Sequence, residues 1–216
     1  MRTMEQRVDA PTIVSVNVAV PRTVQWQGRP VRSAIWKEPV DGPTAVAGVN
    51  LAGDDQADRR VHGGPDKAVY AYAVEDYEWW AATAGPLAPG TFGENLTTRG
   101  IDLSAAQIGD RWSVGTVELE VCQPRTPCFK LGMRMGDVDF PGRFAAAGRA
   151  GAYLRILVPG ELCRGDVIHV RAAEPGGVPL GALAAERPTD DILRQVAEDP
   201  RVPVGWRRSA ARALAS

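Results

Sequence analysis

The sequence predicts a mainly β fold of the β-rich α+β class. The first indication is a series of short runs rich in apolar and β-branched residues, most of them bounded by Gly, Pro or Asp. The second is the content of 23 Gly and 17 Pro in 216 residues, which favours many short elements joined by tight turns. The third is that helical periodicity is confined to a few segments. The same observations argue against an all-helical bundle.

Seven segments have strand character. In the first, residues 13–20, apolar residues alternate with small or polar ones until Pro21 ends the run. The others are residues 46–51, 68–73, 111–114, 117–122, 153–158 and 167–170. A helix is predicted over residues 74–84, where apolar side chains recur every three or four positions and Gly85-Pro86 stops the pattern.

The composition changes near residue 175, which suggests a domain boundary. The following segment is rich in Ala, Arg and acidic residues, with Thr189 placed to cap a helix over residues 190–198 and a last helix predicted over residues 205–214. We therefore expect a flexible N-terminus at residues 1–10, a β domain at residues 11–174 and a short helical appendage at residues 175–216.

Charge and composition exclude several classes of protein. The 25 basic and 26 acidic side chains leave a net charge of −1, so no overall field attracts a nucleic acid polymer or an anionic membrane. The first residues lack the apolar stretch of a signal peptide, and no run is long enough to cross a membrane. We therefore expect a cytoplasmic protein whose three cysteines are thiols.

The most informative segment is the loop Gln123-Pro-Arg-Thr-Pro-Cys-Phe-Lys130, directly after a predicted strand. Its two prolines restrict the backbone, so that Cys128 is held in a defined direction. Arg125 and Lys130 bring positive charge that favours a thiolate, the form of cysteine that binds soft metals or attacks electrophiles. The alternative from spacing alone is a buried structural cysteine in a proline turn.

Two further loops combine glycine with polar side chains. In Arg59-Arg-Val-His-Gly-Gly-Pro-Asp-Lys67, Gly63 and Gly64 allow close approach of a ligand, and His62 and Lys67 suit proton transfer or contact with an anion. A simple turn is the favoured interpretation of this loop alone.

The other loop is Gly90-Thr-Phe-Gly-Glu-Asn-Leu-Thr97, where Glu94 and Asn95 can orient a ligand or bond a neighbouring backbone, and the second role is favoured. Asp54, Gln56 and Asp58 are predicted to form a solvated acidic loop.

The order of these segments resembles the MOSC domain family, named for the C-terminal domain of molybdenum cofactor sulfurase. HGGPDKAVYAY, GTFGENLT, IGDRW and LEVCQPRTPCFKL follow one another like the successive motifs of that family, and the YiiM-like branch is the most similar. The resemblance covers residues 45–170, and the tail resembles weakly the small three-helix domain that follows in that branch.

The resemblance implies a distorted β-barrel that binds the molybdenum cofactor (molybdopterin) and reduces N-hydroxylated substrates such as hydroxylaminopurines, a detoxifying oxidoreductase reaction. It implies Cys128 as the metal ligand, with His62 and Arg125 as its polar catalytic partners. Lys67 and Arg125 would hold the pterin phosphate, and Gly63, Gly64, Glu94 and Asn95 belong to the expected cofactor surroundings. His62 is the candidate acid because imidazole exchanges protons near neutral pH.

Two other functions remain open. One is a sulfur carrier or cofactor-transfer protein in which Cys128 bears a persulfide, and the other is a non-enzymatic β-barrel binding module. The reductase interpretation requires a separate electron-donor reductase, because the chain has neither a GxGxxG dinucleotide loop nor the cysteines of an iron–sulfur cluster. A homodimer is one of the oligomeric states that the sequence leaves open.

Overall fold

The structure consists mainly of β-sheet with short helices around it. It is a computed structural model that describes residues 10–58 and 63–215. The strands are β1 Thr12–Val18, β2 Arg22–Trp26, β3 Arg29–Ser33, β4 Glu38–Val40, β5 Thr44–Ala47, β6 Asn50–Leu51, β7 Val69–Ala73, β8 Leu96–Arg99, β9 Arg111–Val114, β10 Val117–Pro124, β11 Ala152–Val158, β12 Gly160–Leu162 and β13 Ile168–Arg171. The α-helices are α1 Val74–Ala84, α2 Phe129–Met135, α3 Phe140–Ala147, α4 Leu180–Ala184, α5 Asp190–Glu198 and α6 Val204–Leu214, and Pro65–Lys67 forms one 3-10 turn.

One eight-stranded sheet organises the molecule, with the strand order β13-β9-β10-β11-β7-β8-β1-β4. Its neighbouring strands are antiparallel except β7 and β8, which are parallel. A β-bridge joins Thr12, in β1, to Val167, and the Ile168 amide of β13 donates to the Pro11 carbonyl oxygen at 2.7 Å. These bonds link β13 to β1, the first and last strands of the series β13-β9-β10-β11-β7-β8-β1. The expected distorted barrel requires such a link between its outermost strands.

Two apolar cores lie around this sheet. The larger core contains side chains of β1, β7, β9, β10, β11 and β13, among them the fully buried Trp112 and Leu119. The smaller core is aromatic and packs α1, α2 and α3 against β7. Tyr72 is at its centre, with ring centroids of Phe92 and Tyr77 at 4.4 and 5.6 Å. Close contacts of this kind hold the helices that carry the loop of Cys128.

Most of the predicted elements form close to their predicted positions. The helix over residues 74–84 and the strand over residues 111–114 have the predicted bounds, and the Thr189 side chain caps α5 by accepting from the Ile192 amide. The predicted strand over residues 46–51 was wrong as one element: it is divided between β5 and β6, because Gly48 adopts a positive φ in a turn between them. Strands β2, β3, β4, β8 and β12 and helices α2, α3 and α4 were not predicted.

The C-terminal helices share the larger core with the sheet. Leu180, Leu183, Val196, Val202 and Ala210 are all buried in it. The domain boundary near residue 175 stays a prediction, and the expectation for residues 1–9 lies outside the described residues. None of the helices in residues 10–58 and 63–215 combines the length and apolar character needed to cross a bilayer.

Candidate functional site

Cys128 is held at the junction between β10 and α2. Strand β10 continues to Pro124, and the backbone is extended at Cys128, with φ −133° and ψ 169°, before α2 begins at the next residue. Pro127 restricts the backbone immediately before the cysteine, as expected from the sequence. Cys128 is half-buried, so its thiol side chain lies at the border between protein and solvent.

Cys128 lies in the wall of a cavity of about 320 Å³. This cavity brings together segments that are far apart in the chain, namely the ends of β3 and β10, the loop after β6 and the 3-10 turn before β7. Four predicted site residues, Lys67, Asn95, Arg125 and Cys128, line it together. The other polar side chains of the wall include Lys37, Asp54, Gln123 and Lys130. Four basic side chains, Lys37, Lys67, Arg125 and Lys130, therefore line the same cavity as the thiol.

Arg125 is almost completely buried in the cavity wall. Its guanidinium donates to the Phe92 carbonyl oxygen and lies 5.0 Å from the centre of the Tyr70 ring. Burial works against the charged form, but the neighbouring Tyr70, Tyr153 and Cys128 together raise the pKa of Arg125 above its ordinary value. Arg125 therefore stays a fixed positive charge beside Cys128.

A buried ion pair forms another part of the wall. The Lys37 ammonium bonds the Asp54 carboxylate, and their side chains are 9% and 1% exposed. Asp54 also accepts from the Ala19 amide at 2.8 Å and from the Asn95 amide at 2.9 Å. Burial lowers the pKa of Lys37, although Asp54 opposes this shift. The prediction of a solvated acidic loop was wrong for Asp54, because the loop folds inward onto Lys37 and Asn95.

Glu94 and Asn95 have structural contacts of different kinds. Asn95 lines the cavity, accepts from the Tyr70 amide at 3.2 Å and donates to the Asp54 carboxylate. Its side chain therefore fixes the position of another wall residue, Asp54. Glu94 is completely buried away from the cavity. One carboxylate oxygen accepts from the Tyr77 hydroxyl, the Gly90 amide and the Thr97 hydroxyl at 2.5, 2.6 and 2.8 Å. This bonding agrees with the structural role that the residues alone favoured for the pair.

A second cavity, of about 550 Å³, adjoins the first. Gly63 and Gly64 line it, and Lys67 lines both cavities. Gly64 has φ +96°, a conformation that side chains other than glycine rarely adopt. The Gly-Gly-Pro-Asp-Lys segment therefore forms a turn at the border of the site. His62, the predicted proton donor, lies outside the described residues.

Gln123 connects this turn to the C-terminal helices. Its amide nitrogen donates to the Asp66 carbonyl oxygen at 2.8 Å, and its amide oxygen accepts from the Trp206 indole N–H at 2.7 Å. Both Gln123 and Trp206 line the two cavities. Lys37 and Trp206 were not predicted as site residues, because no local pattern around either one marks it as part of a site.

The thiol of Cys128 differs from the other two in its surroundings. Cys122 is fully buried and donates to the Asp66 carbonyl oxygen at 2.9 Å, and burial raises the pKa of its thiol. Cys163 lies within 3.3 Å of the Asp166 carboxylate, outside both cavities. In residues 10–58 and 63–215, no group of three or more His, Cys, Asp or Glu side chains is arranged to hold a metal ion. A metal at this site would therefore have Cys128 as its cysteine ligand and would need further ligands from a cofactor.

Comparison with known proteins identifies the family. The chain is 35% identical over 168 residues to the uncharacterized protein YflK of Bacillus subtilis (strain 168), a match covering 77% of this chain and 76% of YflK. The crystal structure of YiiM from Geobacillus stearothermophilus superposes with a TM-score of 0.77 and 30% identity, covering 94% of this chain and 99% of that one.

A further relative is longer than the region it shares with this chain. It is a protein of Gibberella moniliformis (strain M3125 / FGSC 7600) named reductase, 38% identical over 148 residues, which cover 66% of this chain and 26% of that protein. The family model of the MOSC domain matches residues 58–169, more than half of the sequence and the whole segment from the Gly-Gly turn through Cys128 to β13. The chain belongs to the MOSC domain family.

Proposed function

We propose that the protein reduces N-hydroxylated substrates, such as hydroxylaminopurines, with a molybdenum cofactor bound in the first cavity. The observation that carries this proposal is the placement of Cys128 in one cavity with Lys37, Lys67, Arg125 and Lys130. A reductase activity is also in keeping with the name of the longer relative.

The residues of the cavity fit the chemistry of that cofactor. A cysteine thiolate is a soft ligand of the kind that a thiolate-binding metal prefers. The pterin part of the cofactor carries a phosphate, for which Lys67 and Arg125 supply positive charge. Because Arg125 is held by Phe92 and Tyr70, its charge is oriented before any ligand arrives. A charge that is already oriented loses less conformational entropy on binding, which favours affinity.

The reaction consumes two electrons and two protons, converting the N-hydroxyl compound to the amine and releasing water. When bound, the molybdenum centre supplies the redox chemistry for removal of the oxygen. Side chains of the protein must donate the two protons inside the cavity. Lys37 Nζ is suited to this role because burial lowers the pKa of its ammonium, while Asp54 keeps the side chain oriented. His62, the proton donor predicted from the sequence, stays a prediction because it lies outside the described residues.

Electrons would come from a separate reductase. Strands β7 and β8 are parallel and α1 lies between them, but β7 runs directly into α1 without the glycine-rich turn that binds a dinucleotide.

The first experiment measures bound molybdenum and pterin in protein purified from a host that makes the cofactor. We expect near-stoichiometric molybdenum in the wild type and in Cys163→Ser, and less than about a tenth of it in Cys128→Ala, because a metal ligand is lost only in the last. Cys163→Ser is the matched control, since its thiol lies outside both cavities. Full molybdenum in Cys128→Ala contradicts the assignment of this ligand.

The activity is then tested with an artificial electron donor and 6-hydroxylaminopurine. Loaded wild type should produce adenine and Cys128→Ala should not. Cofactor-loaded protein that reduces no N-hydroxylated compound argues against the reductase. A wild type without metal but with a mass increment of one sulfur on Cys128 would favour the sulfur carrier instead. Neither metal nor added sulfur would favour the binding module.

A further inference from the structure

The C-terminal helices contribute an aromatic ring to the candidate site. Trp206 lies in the first turn of α6 and is half-buried. It is distant in sequence from the Cys128 loop, being 83 residues from its hydrogen-bond partner Gln123. Its side chain lines both the first cavity, with Cys128, and the second cavity, with Gly63 and Gly64. The indole is therefore at the junction of the two.

The orientation of this ring is fixed by contacts on two sides. One part of the indole packs against the larger core. Its N–H donates to the Gln123 amide oxygen, and the Gln123 amide nitrogen is already used by the Asp66 carbonyl oxygen. Since Gln123 is 5% exposed, its amide cannot turn around without losing both bonds. The ring is thus held in one position before a ligand binds.

The first cavity, which Trp206 lines, also has flat apolar surfaces that suit a planar ring. Tyr70 and Tyr153 line the same cavity, with their ring centroids 4.9 Å apart, and Pro124 and Pro127 add apolar surface. The basic side chains lie in this cavity too, so an aromatic platform and a cationic region share one space. Aromatic side chains bind planar heterocycles by stacking, whichever base the heterocycle is.

We infer that Trp206 is a specificity-determining residue that stacks on the planar heteroaromatic ring of the substrate. The inference rests on the proposed function for the N-hydroxyl group, and it adds that Trp206 selects ring substrates over aliphatic hydroxylamines. It also gives the C-terminal helices a role in the site, because Trp206 belongs to them.

The test compares ring and non-ring ligands on three variants. Dissociation constants for adenine, 6-hydroxylaminopurine and N-hydroxyurea are measured by calorimetry on wild type, Trp206→Leu and Trp206→Phe, with and without bound cofactor. Both substitutions remove the hydrogen bond to Gln123, but only Leu removes the aromatic face. Trp79→Leu is the control, since Trp79 is an exposed tryptophan of α1 that lines neither cavity.

We expect Trp206→Leu to weaken binding of both purines by about tenfold, Trp206→Phe by less than about threefold, and neither to change binding of N-hydroxyurea. Equal losses in both variants, or a loss for N-hydroxyurea as well, would mean that Trp206 only supports the loop, and would overturn the inference. Absence of purine binding to the wild type would also overturn it.

These outcomes are separate from those of the proposed function. Purine binding that depends on the ring, in a protein that retains no molybdenum, would support Trp206 and contradict the reductase. Reduction of 6-hydroxylaminopurine by the wild type, with unchanged purine affinity in Trp206→Leu, would support the reductase and contradict the role of Trp206.

Discussion

Glu94 shows how burial decides the chemistry of a single side chain. It is completely buried, and one of its carboxylate oxygens accepts three hydrogen bonds while the other has no partner among the described residues. Burial raises the pKa of Glu94 above its ordinary value of 4.5, although the hydrogen bonds from Tyr77, Gly90 and Thr97 oppose the shift. The folded protein therefore favours the neutral carboxyl.

This raised pKa predicts a pH-dependent effect of Glu94→Gln. The folded state keeps the proton to a higher pH than the unfolded chain, so the stability that Glu94 contributes is complete below pH 4.5 and is lost as the pH rises through its folded-state pKa. Glutamine resembles the neutral form at every pH. We expect the melting temperature of Glu94→Gln relative to wild type to increase from pH 5 to pH 8, as measured by thermal unfolding.

The matched control for this prediction is Glu78→Gln. Glu78 is two-thirds exposed, so the same chemical change there should leave a difference in melting temperature that does not grow with pH. A constant difference for Glu94→Gln across the same range would show that the carboxyl is ionised in the fold.

Asp54 and Lys37 show where reasoning from local sequence stops. Four acidic or amide side chains in residues 54–58 are typical of a solvated loop, and Lys37 lies in a segment with no predicted element. Their pairing spans 17 residues, and Asn95, a further 41 residues from Asp54, completes it. Since a buried charge is tolerated only with a partner, the ion pair was visible only after the chain had folded.

At the scale of elements, the loop of residues 90–97 packs against the backbone of Lys37, a residue of the cavity wall. Its last two residues, Leu96 and Thr97, begin β8, which pairs in parallel with β7 in the middle of the sheet. Gly90 has φ +84°, and a Cβ on it would lie 2.4 Å from the Lys37 carbonyl oxygen. The loop can therefore pass over the backbone of Lys37 only because this residue is glycine.

Gly90→Ala is expected to destabilise the fold more than a matched glycine substitution. Gly148 has a similar φ of +66°, but a Cβ there would meet nothing within 4 Å. Gly148→Ala should cost about 1 kcal/mol for the left-handed backbone alone. Gly90→Ala should cost at least about 2 kcal/mol more, because the Lys37 backbone must move. Denaturant unfolding checks both values, and equal losses would show that the loop accommodates a methyl group.

The elements near the site were predicted unevenly. Strands β7 and β10 and helix α1 have clear apolar patterns with Gly or Pro at their ends, and they were predicted close to their observed bounds. Strand β8 has only four residues and two threonines, and α2 contains a glycine. Their structure depends on packing between β7 and β1, or against the aromatic core, which short local patterns do not reveal.

At the scale of the whole molecule, the C-terminal helices and the sheet have a common core. Six buried side chains of residues 175–215 pack in the larger core, and the Arg155 guanidinium of β11 donates to the Arg201 carbonyl oxygen at 2.8 Å. Trp206 adds the connection to Gln123. The site loop and the helices are therefore linked through both apolar and polar contacts.

A chain that ends at Glu174 is expected to be severely destabilised. Burying one Leu or Val side chain contributes about 1.5–3 kcal/mol. Removing the buried side chains of the C-terminal helices should therefore cost an amount of free energy comparable to the whole stability of a typical domain, about 5–15 kcal/mol. The melting temperature and binding of a hydrophobic dye to the truncated chain measure this. A truncated chain that melts like the full one would instead support an independent domain ending near residue 175.

The sequence by itself determined the β-rich class, the main strands, and the family through the order of its loop motifs, because these depend on local pattern and on residue types at short spacing. Four predicted residues of those motifs, Lys67, Asn95, Arg125 and Cys128, do line one cavity. Only the tertiary structure decided that Lys37, Asp54 and Trp206 line the same cavity and that Glu94 is buried outside it. The reason is physical: these assignments depend on burial and on hydrogen bonds between segments that are 17 to 83 residues apart, and no local pattern encodes such contacts.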